Sequence, residues 1–209
     1  MKKFATFLLF SIFTSLLLQA QPERIGAGLS FATKKRFNGG DTGNPGLNVR
    51  TWIPLDKNKT FHIVPSVSVF NPLDTRPTPA WIVTTYMFHA DLDVQVKVFQ
   101  EKTLKIAALT GMNYTHIISR NEVLIAVPPS QAPVDSTLSG FGPNIGVALE
   151  MRMSPFIDFI LSGRYNFSGL RAGDPSLNEK LLVAPLSAPV IQVHAVYYFT
   201  SRGRGYSRR

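Results

Sequence analysis

Residues 86–99 repeat with a period of two over a longer run than any other part of the chain. Tyr86, Phe88, Ala90, Leu92, Val94, Val96 and Val98 share one parity, and Met87, His89, Asp91, Asp93, Gln95 and Lys97 share the other. A helix would scatter both sets around its circumference, whereas a strand puts them on opposite faces. The run exceeds the usual globular strand of about 5–6 residues. It reaches the roughly 9–11 residues that a tilted membrane-crossing strand requires.

Shorter versions recur over 24–33, 46–55, 61–70, 141–152, 157–167 and 190–199, with a less regular one over 104–117. Together they predict about eight strands, an even number, as closure of a bacterial barrel demands. The connections alternate in length. Short polar turns at 56–59, 100–103 and 153–155 face long segments at 34–45, 71–80, 118–140 and 168–188 that are rich in Gly, Pro, Asn and Asp. Short turns at one end and long loops at the other is the outer-membrane pattern, with the short turns in the periplasm. The expected fold is all-β: a closed antiparallel up-and-down transmembrane β-barrel of about eight strands.

Alternation alone does not say which face turns outward. A soluble lipocalin-like barrel alternates too, with its apolar face inside around a small ligand. Three features favour the membrane version. The polar face mixes small residues with opposed charges, as a narrow lumen needs, and Arg152 and Asp158 flank one short turn where they can face each other across two strands. Aromatics crowd the strand ends at Phe70, Trp81, Tyr86, Phe99, Phe156, Phe167, Tyr197 and Phe199. No helix follows the last strand. The polar face then predicts an internal ionic network of Arg50, Asp91, Asp93, Lys97, Glu150, Arg152, Asp158 and Arg164, read as structural filling of the lumen.

Export follows from the first residues. Lys2 and Lys3 precede an apolar run at 4–18, and Ala20 stands at the cleavage point, so 1–20 reads as a signal peptide too short to span as a helix. The barrel domain is expected over 21–199 and a basic tail over 200–209. The chain has no cysteine, so no disulfide staples an exported domain. Its net charge of +9 points to anionic partners. Export turns that away from nucleic acid and toward lipid phosphates. Lys34, Lys35, Arg36, Arg120 and Arg171 are the loop cations placed to meet lipopolysaccharide, and the Arg-rich tail is placed to meet anionic polymers on the periplasmic side.

The 88–97 alternation, the segment 107–115, the strand at 142–152 and the ending Val196-Tyr197-Tyr198-Phe199 resemble the eight-stranded OmpA/OmpX-type outer-membrane barrels, and more closely those of the Bacteroidetes. The likeness implies the barrel fold and an outer-membrane location; the signal peptide, the strand series and the loop asymmetry lead to the expectation of a monomeric, non-enzymatic protein with a structural, adhesion or envelope-assembly role. The likeness also implies insertion by the barrel-assembly machinery through a terminal aromatic; here Phe199 is followed by ten further residues. Lipid A-modifying enzymes of this fold use an outward Ser and His, for which His116 and Ser119, with Glu122 nearby, are the candidates. His62, His89 and His194 fall on the polar face as lumen filling, and four scattered histidines match no metal spacing. No cofactor is expected.

Overall fold

A computed structural model describes residues 22–35, 41–78, 81–123, 135–169, 171–172 and 185–199. The expected signal peptide at 1–20 and tail at 200–209 lie outside them. The strands are β1 (Arg24–Lys35), β2 (Asp41–Pro54), β3 (Phe61–Phe70), β4 (Leu73–Thr78), β5 (Trp81–Gln100), β6 (Leu104–Val123), β7 (Ser136–Arg152), β8 (Ile157–Gly169), β9 (Arg171–Ala172) and β10 (Pro185–Tyr198). All pairings are antiparallel: the sheet runs β3-β2-β1-β10-β8-β7-β6-β5, and β3 pairs with β5, which closes it. β4 continues the line of β3 and pairs with β5, while β9 continues β8 and pairs with β7. The molecule is therefore a closed eight-stave antiparallel β-barrel. Closure satisfies every stave on both edges, the condition for a sheet to sit in hydrocarbon.

All eight expected strands are present, and the three short turns fall where predicted. Local hydrogen bonds explain two of them. The Asp56 carboxylate accepts from the Phe61 amide at 2.7 Å, and Lys59 turns the chain with φ 55°. In the β7–β8 turn, Ser154 Oγ accepts from the amides of Phe156 and Ile157. The segments expected as long loops are partly strand: β6 runs on to Val123, β7 begins at Ser136, and β4 occupies 73–78. Polar outward residues there, such as Thr84 and Arg120, hid these extensions from a pattern that looks for apolar alternation. Pairing with a neighbour supplies their backbone bonds without it.

The apolar face points outward. Leu92 and Val94 are 39% and 38% exposed, while Asp91 and Asp93 are 6% and 0%. This is the reverse of a water-soluble ligand barrel, so the lipocalin-like alternative is set aside. Outward aromatics lie at two levels. Phe99, Phe156, Tyr197 and Phe199 ring the short-turn end, and Tyr86, Phe141, Tyr165 and Phe167 ring the other. On β5 the stretch from Phe88 to Phe99 climbs roughly 28 Å, at about 3.3 Å per residue and a tilt of about 40°. That matches the apolar band of about 25 Å between aromatic girdles. Phe70 corrects the expectation: it shares the inward parity of β3 and packs edge-on to His89, centroids 4.9 Å apart. The side chain of Trp81 lies outside the described ones.

A narrow barrel coils its strands tightly, and glycine marks where they pass closest. A Cβ added at Gly28 would lie 1.8 Å from the Val193 carbonyl oxygen, and one at Gly111 would lie 2.2 Å from that of Leu92. At the outward Gly163 nothing lies within 4 Å. Gly28→Ala should therefore prevent or sharply reduce barrel closure while Gly163→Ala leaves it unchanged. The fraction of compact, heat-modifiable band on a gel after detergent refolding measures this.

Candidate functional site

The inward face is stratified along the barrel axis, and two strands show the order. From the short-turn end β3 reads His62, Val64, Ser66, Ser68, Phe70, and β10 reads Tyr198, Val196, His194, Gln192, Val190, all buried. Each runs polar, apolar, polar, polar, apolar. Around the barrel the first apolar layer gathers Trp52, Val64, Leu109, Ile160 and Val196. The second gathers Ala32, Phe70, Met87, Ile117 and Val190.

Below the first layer, at the short-turn end, Arg24 is the organising residue. Its guanidinium donates to both oxygens of Glu150 at 2.8 Å and to Tyr198 Oη at 2.7 Å. It also lies over the Trp52 ring, 4.5 Å from the centroid. Tyr198 Oη donates onward to Asp158 Oδ2 at 2.8 Å. Trp52 Nε1 donates to Gln95, whose amide donates to Glu150 at 2.6 Å. A bidentate arginine–carboxylate pair held by further hydrogen bonds is the geometry that repays burial of two charges.

Between the apolar layers lies a second network. Arg164 Nη1 reaches Asp93 Oδ2 at 2.6 Å and Asp91 Oδ2 at 3.2 Å. Ser66 Oγ donates to Asp91, and Asn144 Nδ2 donates to Asp93. Arg50 and Arg164 both donate to the Gln192 amide oxygen, which lets two like charges share one acceptor. His194 Nε2 contacts Asn48 Oδ1 at 2.6 Å. Two arginines and two aspartates leave this chamber without net charge when all four are ionised.

Of the eight residues expected in one network, the structure buries Arg50, Asp91, Asp93, Glu150, Asp158 and Arg164. It divides them between the two layers. Lys97 is half-buried near the short-turn rim. Arg152 is exposed at that rim, a correction. Arg152 and Asp158 are register partners, but Asp158 turns to Arg24 and Tyr198. Arg24, Tyr198, Gln192 and Trp52 were missed because they sit at strand ends or among apolar neighbours. Parity counted outward from Ile25 and Tyr197 would have found the first two.

The enzymatic candidates do not assemble. His116 shares the outward parity of Tyr114, whose Oη lies 3.4 Å from its Nδ1. Ser119, three residues on, has the inward parity of Ile117, so the barrel wall separates this pair. Of the loop cations, Arg120 is exposed and stacks over Tyr86, 5.8 Å from the centroid. Arg36 and the side chains of Lys34, Lys35 and Arg171 lie outside those described.

Just before β1, Glu23 ties the N-terminal lead-in to the β2–β3 hairpin through Lys59 at 3.5 Å and His62 at 3.4 Å. Burial would raise its carboxyl, but the His62 hydrogen bond and the charges of Lys59 and Arg24 outweigh this and lower it from 4.5 to about 2. Its contribution to stability is therefore complete above about pH 4.5 and is lost as pH falls toward 2. Glu23→Gln should flatten unfolding midpoints across that window relative to the parent chain.

No protein-family model and no curated protein matches the sequence. Solved structures do. The chain is similar to the outer membrane protein OprG of Pseudomonas aeruginosa (TM-score 0.58, 12% identity, 87% of this chain and 97% of that one). It is also similar to Neisserial surface protein A (0.55, 12%, 84% and 96%). A third match is Ail, the attachment invasion locus protein of Yersinia pestis (0.53, 9%, 86% and 99%). At such identities the likeness establishes the fold.

Proposed function

We propose that the chain is a non-enzymatic outer-membrane barrel that serves as a surface scaffold, with an adhesive or envelope-assembly role, and not as a diffusion channel. The observation that carries this reading is the stratified interior. The neutral polar chamber lies between two apolar layers, so an ion crossing the lumen would shed its hydration at each layer, a step that is strongly unfavourable. An eight-stave barrel of this kind is filled by its own side chains.

Three further features support it. The exterior is an apolar band between aromatic belts. β5, β6 and β7 run past the belt at the long-loop end, which the short-turn rule assigns to the cell exterior, and carry polar residues there. The solved neighbours include a protein named for attachment and one named as a surface protein. Export through the signal peptide, insertion by the barrel-assembly machinery and the likeness to Bacteroidetes barrels belong to this reading on sequence grounds.

Carbonate-washed fractionation and planar-bilayer recording test the two halves. The protein should stay with outer membranes and give no stepwise conductance after refolding. Release into the soluble fraction would refute the location, and steady ohmic steps would refute the closed lumen.

A further inference from the structure

The exterior of the barrel is not uniformly convex. A groove of about 610 Å³ opens on the outer wall across β2, β3, β5, β6 and β7. Val49, Val67, Ala90, Tyr114 and Phe141 are successive register partners along it, forming one outward row. The row drops to a single methyl at Ala90, between Val67 and the Tyr114–Phe141 aromatic pair, whose centroids are 4.8 Å apart. Leu92 and Met112 line the groove on the short-turn side. It thus occupies the half of the apolar band nearer the long loops and ends at the aromatic belt.

Above it on the same outward face stands a cation. Arg120 is exposed, lies over Tyr86 and makes no ion pair among the described residues. Tyr86 is four residues beyond Ala90 on β5, about 13 Å along the strand at about 3.3 Å per residue. Across β5, the carboxylate of Asp74 accepts from Thr84 Oγ1 at 2.8 Å; Glu122 follows two residues after Arg120, and on the β7 side Asp135 precedes Ser136, the register partner of Ser119. An apolar channel leading up to an aromatic belt and a guanidinium matches, from tail to head, a lipid with a phosphate headgroup. A guanidinium takes phosphate oxygens through charge-assisted hydrogen bonds.

We propose that this groove and Arg120 form a specific site for a phosphorylated outer-leaflet lipid, with one acyl chain lying over Ala90 and a phosphate on the Arg120 guanidinium. The proposal rests on the outer-membrane reading above. It concerns occupancy at one place on the wall, beyond general contact with the bilayer.

Native mass spectrometry of the refolded full chain in detergent micelles tests it, using bis-phosphorylated lipid A as the probe and phosphatidylcholine as the neutral control. The parent chain should retain one lipid A and far less phosphatidylcholine. Arg120→Gln should weaken retention about tenfold, as expected for losing a charge-assisted contact. Ala90→Phe should weaken it comparably by filling the groove, with Ala90→Leu as the milder version if the larger ring impairs folding. The Arg120 effect should also shrink in high salt.

Retention unchanged in both variants, or equal retention of the neutral lipid, would overturn the site. So would a parent chain that is dimeric and becomes monomeric in Ala90→Phe, since the groove would then hold a second copy. Heat-modifiable mobility of each protein separates the two levels. Closed barrels without selective retention sink this proposal alone, whereas a parent chain that never closes in detergent sinks the barrel reading with it.

Discussion

Val147→Arg is expected to destabilise the membrane-inserted barrel by about 2–4 kcal/mol, although Val147 is 61% exposed and touches no packed core. On the surface of a water-soluble protein, an arginine at such a position would change stability by about 0.5 kcal/mol or less. The difference is a solvent effect. Val147 lies on the outward face of β7 between the aromatic belts, where a charge must leave water for hydrocarbon or drag water in. Denaturant titration of the barrel folded into lipid vesicles measures the cost. The same substitution at Thr84, beyond the belt at the long-loop end, should cost about 0–1 kcal/mol, because the penalty falls away near the interfaces. Equal, near-zero costs at both positions would mean that the outward face does not meet lipid.

The second large effect lies inside. Glu150→Ala should cost about 3–5 kcal/mol, because it leaves the Arg24 guanidinium buried without its bidentate partner. Asp158, at 3.8 Å from Arg24, is too loosely placed to replace that pair, and Lys105, 3.9 Å from the Glu150 carboxylate, would lose its own counter-charge as well. Joint replacement by Arg24→Met and Glu150→Met should recover most of the loss, since removing both charges also removes the cost of burying either. A double-mutant cycle on unfolding free energies in vesicles gives the coupling directly. If the double variant is as unstable as the sum of the single ones, Arg24 is held mainly by Trp52 and Tyr198, and the ion pair is incidental. A cut in the central chamber, such as Asp93→Ala, would act on a different layer and should add independently to Glu150→Ala.

Read from residues alone, the chain yields its staves and which residues share a face. Period-two alternation is a property of neighbours in sequence, and one strand suffices to display it, which is why β5 could be read from Tyr86 to Phe99 before any partner was known. The turn at Asp56 was legible for the same reason: its bonds close within five residues. β6 was harder. Ala107 and Leu109 point inward while Thr110 points outward, because the interior of this barrel is apolar at that height. A two-way division into polar and apolar cannot separate a lipid-facing leucine from one in an internal layer.

What the tertiary structure alone decided is height. The ionisable residues were recognised as inward, but not that they divide into two networks with an apolar layer between. That depends on the stagger of each strand against its neighbours, set by hydrogen-bond register around the closed sheet. The same stagger brings Arg24 to Glu150 across 126 positions of chain and leaves Arg152 outside at the rim. It also assembles the outward row from Val49 to Phe141 out of five separate strands. Which residues share a face is written locally in the order of side chains, whereas level along the axis comes into being only when the last strand pairs with the first.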